Sequence, residues 1–225
     1  MHQIGSGVLG PVYRARRSDS DLPGERLFAL KAFQVDLAPE QAIVFGDALQ
    51  EMVDLGLTHA AVVSPVGAGV ADGLPYVAYD YVAGESLDVR MRPRAPLAAD
   101  AALPYIVQIA EALDAAHARG LVHGALHLRD VLITPDGVRV GGFGIVAALD
   151  RVGHRCPLRP PYAAPEQIAG AEWGEAADRY ALAAVACELL TGRRPAAGGG
   201  MAGNVERVLD AQAAPRLTAL LDAAR

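Results

Sequence analysis

The sequence of 225 residues lacks the marks of several classes of protein. Its two cysteines, Cys156 and Cys187, are too few for the disulfide framework of a small secreted domain, so a reducing, cytoplasmic location is expected. No apolar run approaches the length of a membrane span, and residues 1–5 do not resemble a secretory signal. A net charge of −6 also argues against a nucleic-acid-binding surface.

Two further absences concern single residue types. Lysine and arginine together number 20, yet Lys31 is the only lysine. Between Phe143 and Glu166 there is no serine or threonine, and Tyr162 carries the only hydroxyl group. Phosphoserine and phosphothreonine are therefore excluded as the signal that would order this segment.

The apolar patterning predicts an α+β protein in which a small β-rich part precedes a mainly helical part. Within residues 1–82, the pattern predicts short strands with one helix between them, and the first strand segment alternates around a glycine-rich turn. The predicted strands span residues 4–14, 26–35, 62–70 and 74–82, and the helix spans residues 39–55. From residue 98 onward the predicted elements are helices over residues 98–119 and 175–191, with a hairpin over residues 131–140 between them.

The glycine-rich segment is the first specific motif. Residues 5–12 match G-x-G-x-x-G-x-V, and the chain then continues as a strand. This argues against a dinucleotide-binding fold, in which the same glycines open a helix. The next strand ends in Phe28-Ala29-Leu30-Lys31, which matches V-A-I-K.

Further motifs follow in order, namely residues 76–84, residues 117–123, Ala164-Pro165-Glu166, residues 178–182 and residues 191–195. With the two earlier segments they resemble the bacterial-type Ser/Thr protein kinase family along nearly the whole chain. The resemblance implies one protein-kinase-like domain over residues 1–225, with an N-lobe over residues 1–82 and a C-lobe over residues 83–225. The C-lobe looks incomplete, because only residues 205–209 and 216–224 are left to form the helices that usually follow Pro195.

The resemblance implies an ATP site in the cleft between the lobes. The residues expected at this site are Gly5, Gly7, Gly10, Val12, Ala29, Lys31, Glu51, Tyr79, Val82 and Leu132. Tyr79 takes the gatekeeper place and narrows the adenine pocket.

The helix partner of Lys31 has two candidates. Counting along the family pattern gives Gln50, whereas helix geometry favours Glu51, on the apolar face with Ala48 and Leu55. Choosing Glu51 places Leu55 in the family's hydrophobic spine, whose other members are Val66, Phe143 and His123.

The departures from the family concern the residues that carry out phosphoryl transfer. Ala125 replaces the Asp that accepts the substrate proton, and Gly142 replaces the principal magnesium carboxylate. His127 occupies the position of the family's loop lysine. Asp130 occupies the position of the magnesium-binding Asn, so Asp130 is the one candidate metal ligand. Magnesium binding is expected to be weak or absent. Arg159 takes the place of the Thr that contacts the catalytic Asp.

Losing a general base costs roughly 10²–10⁴-fold in rate, and losing the metal costs about another 10²–10³-fold or more. A family rate of about 1–100 per second would then fall to around one event per hour or slower.

The favoured hypothesis is a pseudokinase that regulates or scaffolds a protein partner, such as an active Ser/Thr kinase or fused signalling domains. The alternatives are a weakly active Ser/Thr kinase that relies on Asp130, and a truncated, decayed domain without a ligand.

Overall fold

The computed structural model describes residues 1–16, 26–92 and 96–195. In the N-lobe, five antiparallel strands pair in the order β1-β2-β3-β5-β4, and one helix packs on them. The elements are β1 His2–Gly7, β2 Gly10–Ala15, β3 Phe28–Ala32, α1 Pro39–Asp54, β4 Pro65–Ala71 and β5 Leu74–Asp80. A tight turn joins β4 to β5, because Asp72 and Gly73 both take positive φ (50° and 77°), as a two-residue hairpin loop requires.

Helix α1 follows directly from its sequence. Pro39 begins it, where the missing N–H of proline is not needed. Phe45, Leu49 and Met52 lie on one face at helical spacing and are all buried. Gly46 allows the helix to approach the sheet, since a Cβ there would lie 2.5 Å from Val70 Cγ2.

The C-lobe is mainly helical, with a small three-stranded sheet at the cleft in the order β6-β7-β8. Its elements are β6 Glu85–Ser86, α2 Leu87–Met91, α3 Ala99–His117, β7 Val131–Thr134, β8 Gly137–Val140, α4 Ile145–Arg151, α5 Pro165–Ile168 and α6 Glu175–Thr191. A 3₁₀ turn over Leu128–Asp130 leads into β7. Helices α3 and α6 pack against each other, and both contribute buried residues to the core, among them Ile109, Leu113, Val185 and Leu189.

The α+β architecture and the order of the main elements are confirmed. The four long N-lobe strand segments, α1, α3, the hairpin β7–β8 and α6 lie where the patterning predicts them. Helices α2, α4 and α5 and the short strand β6 are not predicted by it. None of the helices in the described residues is long and apolar enough to cross a membrane. The predicted elements after Pro195 lie outside the described residues.

Candidate nucleotide-binding cleft

A cleft of about 610 Å³ lies between the lobes. Most of the predicted site residues line it, namely Gly5, Gly7, Val12, Ala29, Lys31, Tyr79, Val82, Ala125, His127, Asp130, Leu132 and Gly142. Gly10 lies at the start of β2 behind the glycine-rich turn, and Glu51 lies outside the cleft. The cleft has the size of a small-molecule site and mixes apolar walls with a few polar groups.

Lys31 projects from β3 beneath the glycine-rich turn. The strand register pairs Lys31 with Val12, and the ammonium Nζ donates a 2.6 Å hydrogen bond to the Gly10 carbonyl. A Cβ on Gly7 would lie 3.4 Å from the same ammonium group, so the turn lies close above the lysine. Burial lowers the pKa of Lys31, and the negative charge of Asp130 opposes that shift.

The prediction that Glu51 faces Lys31 is wrong. The Glu51 side chain is 62% exposed and forms an ion pair with Arg151 of α4. The alternative, Gln50, turns toward the sheet and accepts a 3.0 Å hydrogen bond from the backbone N–H of Ala68. The reason is the rotation of α1, which is set by the burial of Phe45, Leu49 and Met52 and leaves residue 51 on the side facing α4.

The predicted hydrophobic spine is half correct. His123 and Phe143 are buried and meet edge to face, with ring centroids 5.3 Å apart. Leu55 and Val66 are exposed and do not belong to this core. Leu55 fails because α1 ends at Asp54, so residue 55 lies beyond the last buried turn. Met52 packs here instead, since a Cβ on Gly144 would lie 2.8 Å from its sulfur.

Asp178 of α6 anchors the loop that follows α3. Its carboxylate is fully buried and accepts hydrogen bonds from the backbone N–H groups of His123 (2.8 Å) and Gly124 (2.7 Å). It also accepts one from His117 Nε2 at 2.9 Å. Three donors converge on one buried carboxylate, which fixes the backbone of the loop that carries Ala125 and His127 into the cleft.

The loop that forms the floor of the cleft carries Ala125, whose side chain is a methyl group, and Asp130, whose carboxylate is already hydrogen-bonded. Ala125 lines the cleft and carries no group that accepts a proton. Asp130 Oδ2 accepts hydrogen bonds from the backbone N–H of His127 (3.1 Å) and from its Nδ1. The bond at Nδ1 leaves His127 Nε2 as a buried atom without a hydrogen-bond partner.

The family's magnesium does not fit the residues present. The carboxylate expected before Phe143 is replaced by Gly142, whose backbone takes φ 95°. Asp130 directs Oδ2 to His127, and its distance to His123 Nε2 is 3.8 Å. Across residues 1–16, 26–92 and 96–195, no group of three or more His, Cys, Asp or Glu side chains is arranged to hold a metal ion.

Tyr79 occupies the back of the cleft. Strand β5 pairs it with Ala29 of β3, and its hydroxyl is buried without a hydrogen-bond partner. Burial first, and the charge of Asp130 second, raise the pKa of the phenol well above its usual value. The ring therefore presents a neutral hydroxyl inside the cleft.

Several residues that line the cleft had no role in ligand contact assigned from the sequence, among them Arg129, Cys156 and Arg159. Arg129 immediately precedes Asp130, and this position in the loop was the one feature of the sequence that indicated a place in the cleft. Burial raises the pKa of the Cys156 thiol, and the charges of Asp130 and Asp150 raise it further. Cys156 gave no signal, because it belongs to no family motif.

Comparisons with known proteins show the family to which the chain belongs. The family model described as protein tyrosine and serine/threonine kinase matches residues 1–220. The chain is 33% identical over 212 residues to the serine/threonine-protein kinase PkaA of Streptomyces coelicolor, which covers 87% of this chain and 39% of that protein. It is 33% identical over 207 residues to PknF of Mycobacterium tuberculosis, covering 87% and 43% respectively. The chain thus spans less than half the length of these curated relatives.

Among solved structures, the kinase domain of PknI from Mycobacterium tuberculosis superposes with a TM-score of 0.67 at 30% identity. The match covers 87% of this chain and 74% of the solved one. The small sheet, the helical lobe and the cleft between them are therefore those of a protein kinase domain. The chain belongs to the protein tyrosine and serine/threonine kinase family, and its relatives are bacterial Ser/Thr kinases.

Proposed function

We propose that this chain is a pseudokinase, which binds a nucleotide in its cleft without transferring phosphate efficiently and acts by regulating or scaffolding a protein partner. The observation that carries the proposal is the floor of the cleft, where Ala125 offers no proton acceptor and Asp130 is engaged by His127. Phosphoryl transfer depends on placing a proton acceptor and metal-bound phosphates together. Neither requirement has a complete set of residues in the part of the chain that the structure describes.

The part of the cleft around the glycine-rich turn and Lys31 supports nucleotide binding. The glycine-rich turn, Lys31 and the apolar walls Val12, Ala29 and Leu132 line a single cavity. Lys31 donates to a backbone carbonyl and has no carboxylate within ion-pair distance in the described residues. Its positive charge is therefore available to a phosphate oxygen, for which a partly buried ammonium group is a strong donor.

The partner is proposed to be a protein, such as an active Ser/Thr kinase or domains fused to this one. The curated relatives extend well beyond the matched region, so a kinase domain of this family commonly works beside other segments of chain. The anchored loop and the buried Asp178 support a stable folded platform of the kind that a binding module needs.

The proposal is tested on the purified chain by thermal shift with ATP and by a labelled-ATP transfer assay beside an active Ser/Thr kinase. We expect ATP to raise the melting temperature and no transfer to be detected. Lys31→Met should abolish the shift, whereas Arg179→Gln on the exposed face of α6 should keep it. Transfer that requires Lys31 and Asp130 would establish the weakly active kinase, and a folded sample with neither property would establish the domain without a ligand.

A further inference from the structure

Two cationic side chains hold the glycine-rich turn from opposite lobes. Lys31 of β3 donates to the Gly10 carbonyl at 2.6 Å. Arg129, from the loop before β7, donates through Nη2 to the Ser6 carbonyl at 3.4 Å. The ends of the turn are therefore bonded to two positive charges, one in each lobe, and both charges line the cleft.

The charged side chains that line the cleft carry a net positive charge. Lys31, Arg129 and Arg159 line it as cations. Its two carboxylates are each engaged, since Asp80 pairs with Arg26 and Asp130 is bonded to His127. In a working kinase, metal ions offset the charge of the phosphates. The described residues of this chain offer no complete set of ligands for such a metal ion, whereas Arg129 and Arg159 line the cleft.

We propose that this cleft binds the triphosphate of a nucleotide without a divalent metal, with Lys31 and Arg129 as the phosphate-binding cations and Arg159 as an additional positive charge. This inference rests on the proposed function and names how its ligand is held. The guanidinium group suits the task, because its planar donors match the oxygens of a phosphate and its charge does not titrate near neutral pH.

Binding exchanges one set of hydrogen bonds for a stronger set. The carbonyls of Ser6 and Gly10 are neutral acceptors, whereas a phosphate oxygen carries charge and forms shorter, stronger bonds with the same donors. The phosphates thus take the places of the Ser6 and Gly10 carbonyls on the two cations. Lys31 contributes more than Arg129, because Arg129 is exposed and solvent screens its charge.

The test measures ATP and adenosine affinity by isothermal titration calorimetry on the full chain, in EDTA and in excess magnesium. We expect ATP affinity in EDTA to equal or exceed that in magnesium and to fall as sodium chloride is added. Arg129→Ala should weaken ATP binding by about tenfold and leave adenosine binding unchanged. Arg159→Ala should act in the same direction but less strongly. Arg155→Ala removes an equal charge from the same segment as Arg159 but outside the cleft, and it should leave both affinities unchanged.

ATP binding that requires magnesium would overturn this inference while leaving a nucleotide-binding pseudokinase intact. Equal loss of ATP and adenosine binding in Arg129→Ala would show a structural role for Arg129 and would also overturn it. Circular dichroism of each variant separates these outcomes from misfolding, and Arg129→Lys keeps the charge and should recover part of the ATP affinity. Phosphate transfer, measured separately, bears on the proposed function and not on this inference.

Discussion

Trp173 lies directly against Gly124, the residue that follows the histidine of the catalytic-loop motif. A Cβ added to Gly124 would lie 2.5 Å from the Trp173 ring, and Gly124 itself takes φ 73°. The family motif has an arginine at this position. The indole therefore fills the space that a side chain at residue 124 would need, and the loop conformation depends on glycine.

Gly124→Ala should lower the free energy of unfolding by about 2–4 kcal/mol, from the left-handed backbone and the contact with Trp173 together. Urea denaturation followed by tryptophan fluorescence and circular dichroism measures this. Gly67→Ala is the matched control, because a Cβ there meets nothing within 4 Å. Adding Trp173→Ala should not restore full stability, since it removes the contact but not the backbone strain. Equal stability of the Gly124 and Gly67 variants would contradict the account.

Asp178 should be essential for the folded loop. Asp178→Ala leaves the N–H groups of His123 and Gly124 buried without their acceptor, and we expect a loss of about 3–5 kcal/mol. Asp178→Asn retains one acceptor oxygen and should lose less. Asp114→Ala, an exposed change on α3, should stay within about 0.5 kcal/mol of the parent in the same denaturation experiment. A parent-like Asp178→Ala protein would show that the anchoring role is absent.

The lone lysine allows its pKa to be measured directly. Reductive ¹³C-methylation labels only Lys31 and the Met1 amine, so two resonances should appear. Because burial disfavours the charged form, the Lys31 signal should titrate below the ordinary lysine value. Asp130→Asn removes the charge that opposes this shift, so the pKa should fall further. A rise in the pKa on removing Asp130 would contradict the placement of these two side chains.

Glu51 should be dispensable for ligand binding. Its ion pair with Arg151 is exposed at both ends, and such pairs contribute little. Glu51→Gln should therefore leave both the melting temperature and the ATP-induced shift unchanged, in contrast to Lys31→Met. Loss of the ATP-induced shift in Glu51→Gln would mean that Glu51 turns toward Lys31 when the nucleotide binds.

Much of the fold could be predicted because local pattern and fold agree. The apolar stripe of α1 and the turn between β4 and β5 each determine one element, and β3 lies where its V-A-I-K-like motif predicts a strand. The cleft residues Lys31, Ala125 and Asp130 could be placed because they lie in ordered motifs. The location of such residues follows from short motifs, which can be read from a single sequence.

The errors came from relationships between distant elements. The burial of Phe45, Leu49 and Met52 sets the rotation of α1, but nothing near residue 51 shows that Arg151 of α4 lies opposite it and pairs with Glu51. The contact between Trp173 and Gly124 joins two segments with no shared motif. Arg129 became notable only when the fold placed it beside Ser6. In each case the deciding partner is far along the chain, and pattern alone does not connect the two.

The central claim is the loss of efficient phosphoryl transfer, and a labelled-ATP assay on the purified chain tests it most directly. With ATP bound and a general protein acceptor present, the account predicts no more than about one transfer per hour per molecule, with or without magnesium. Transfer at many events per minute, abolished by Lys31→Met and by Asp130→Asn, would contradict the account.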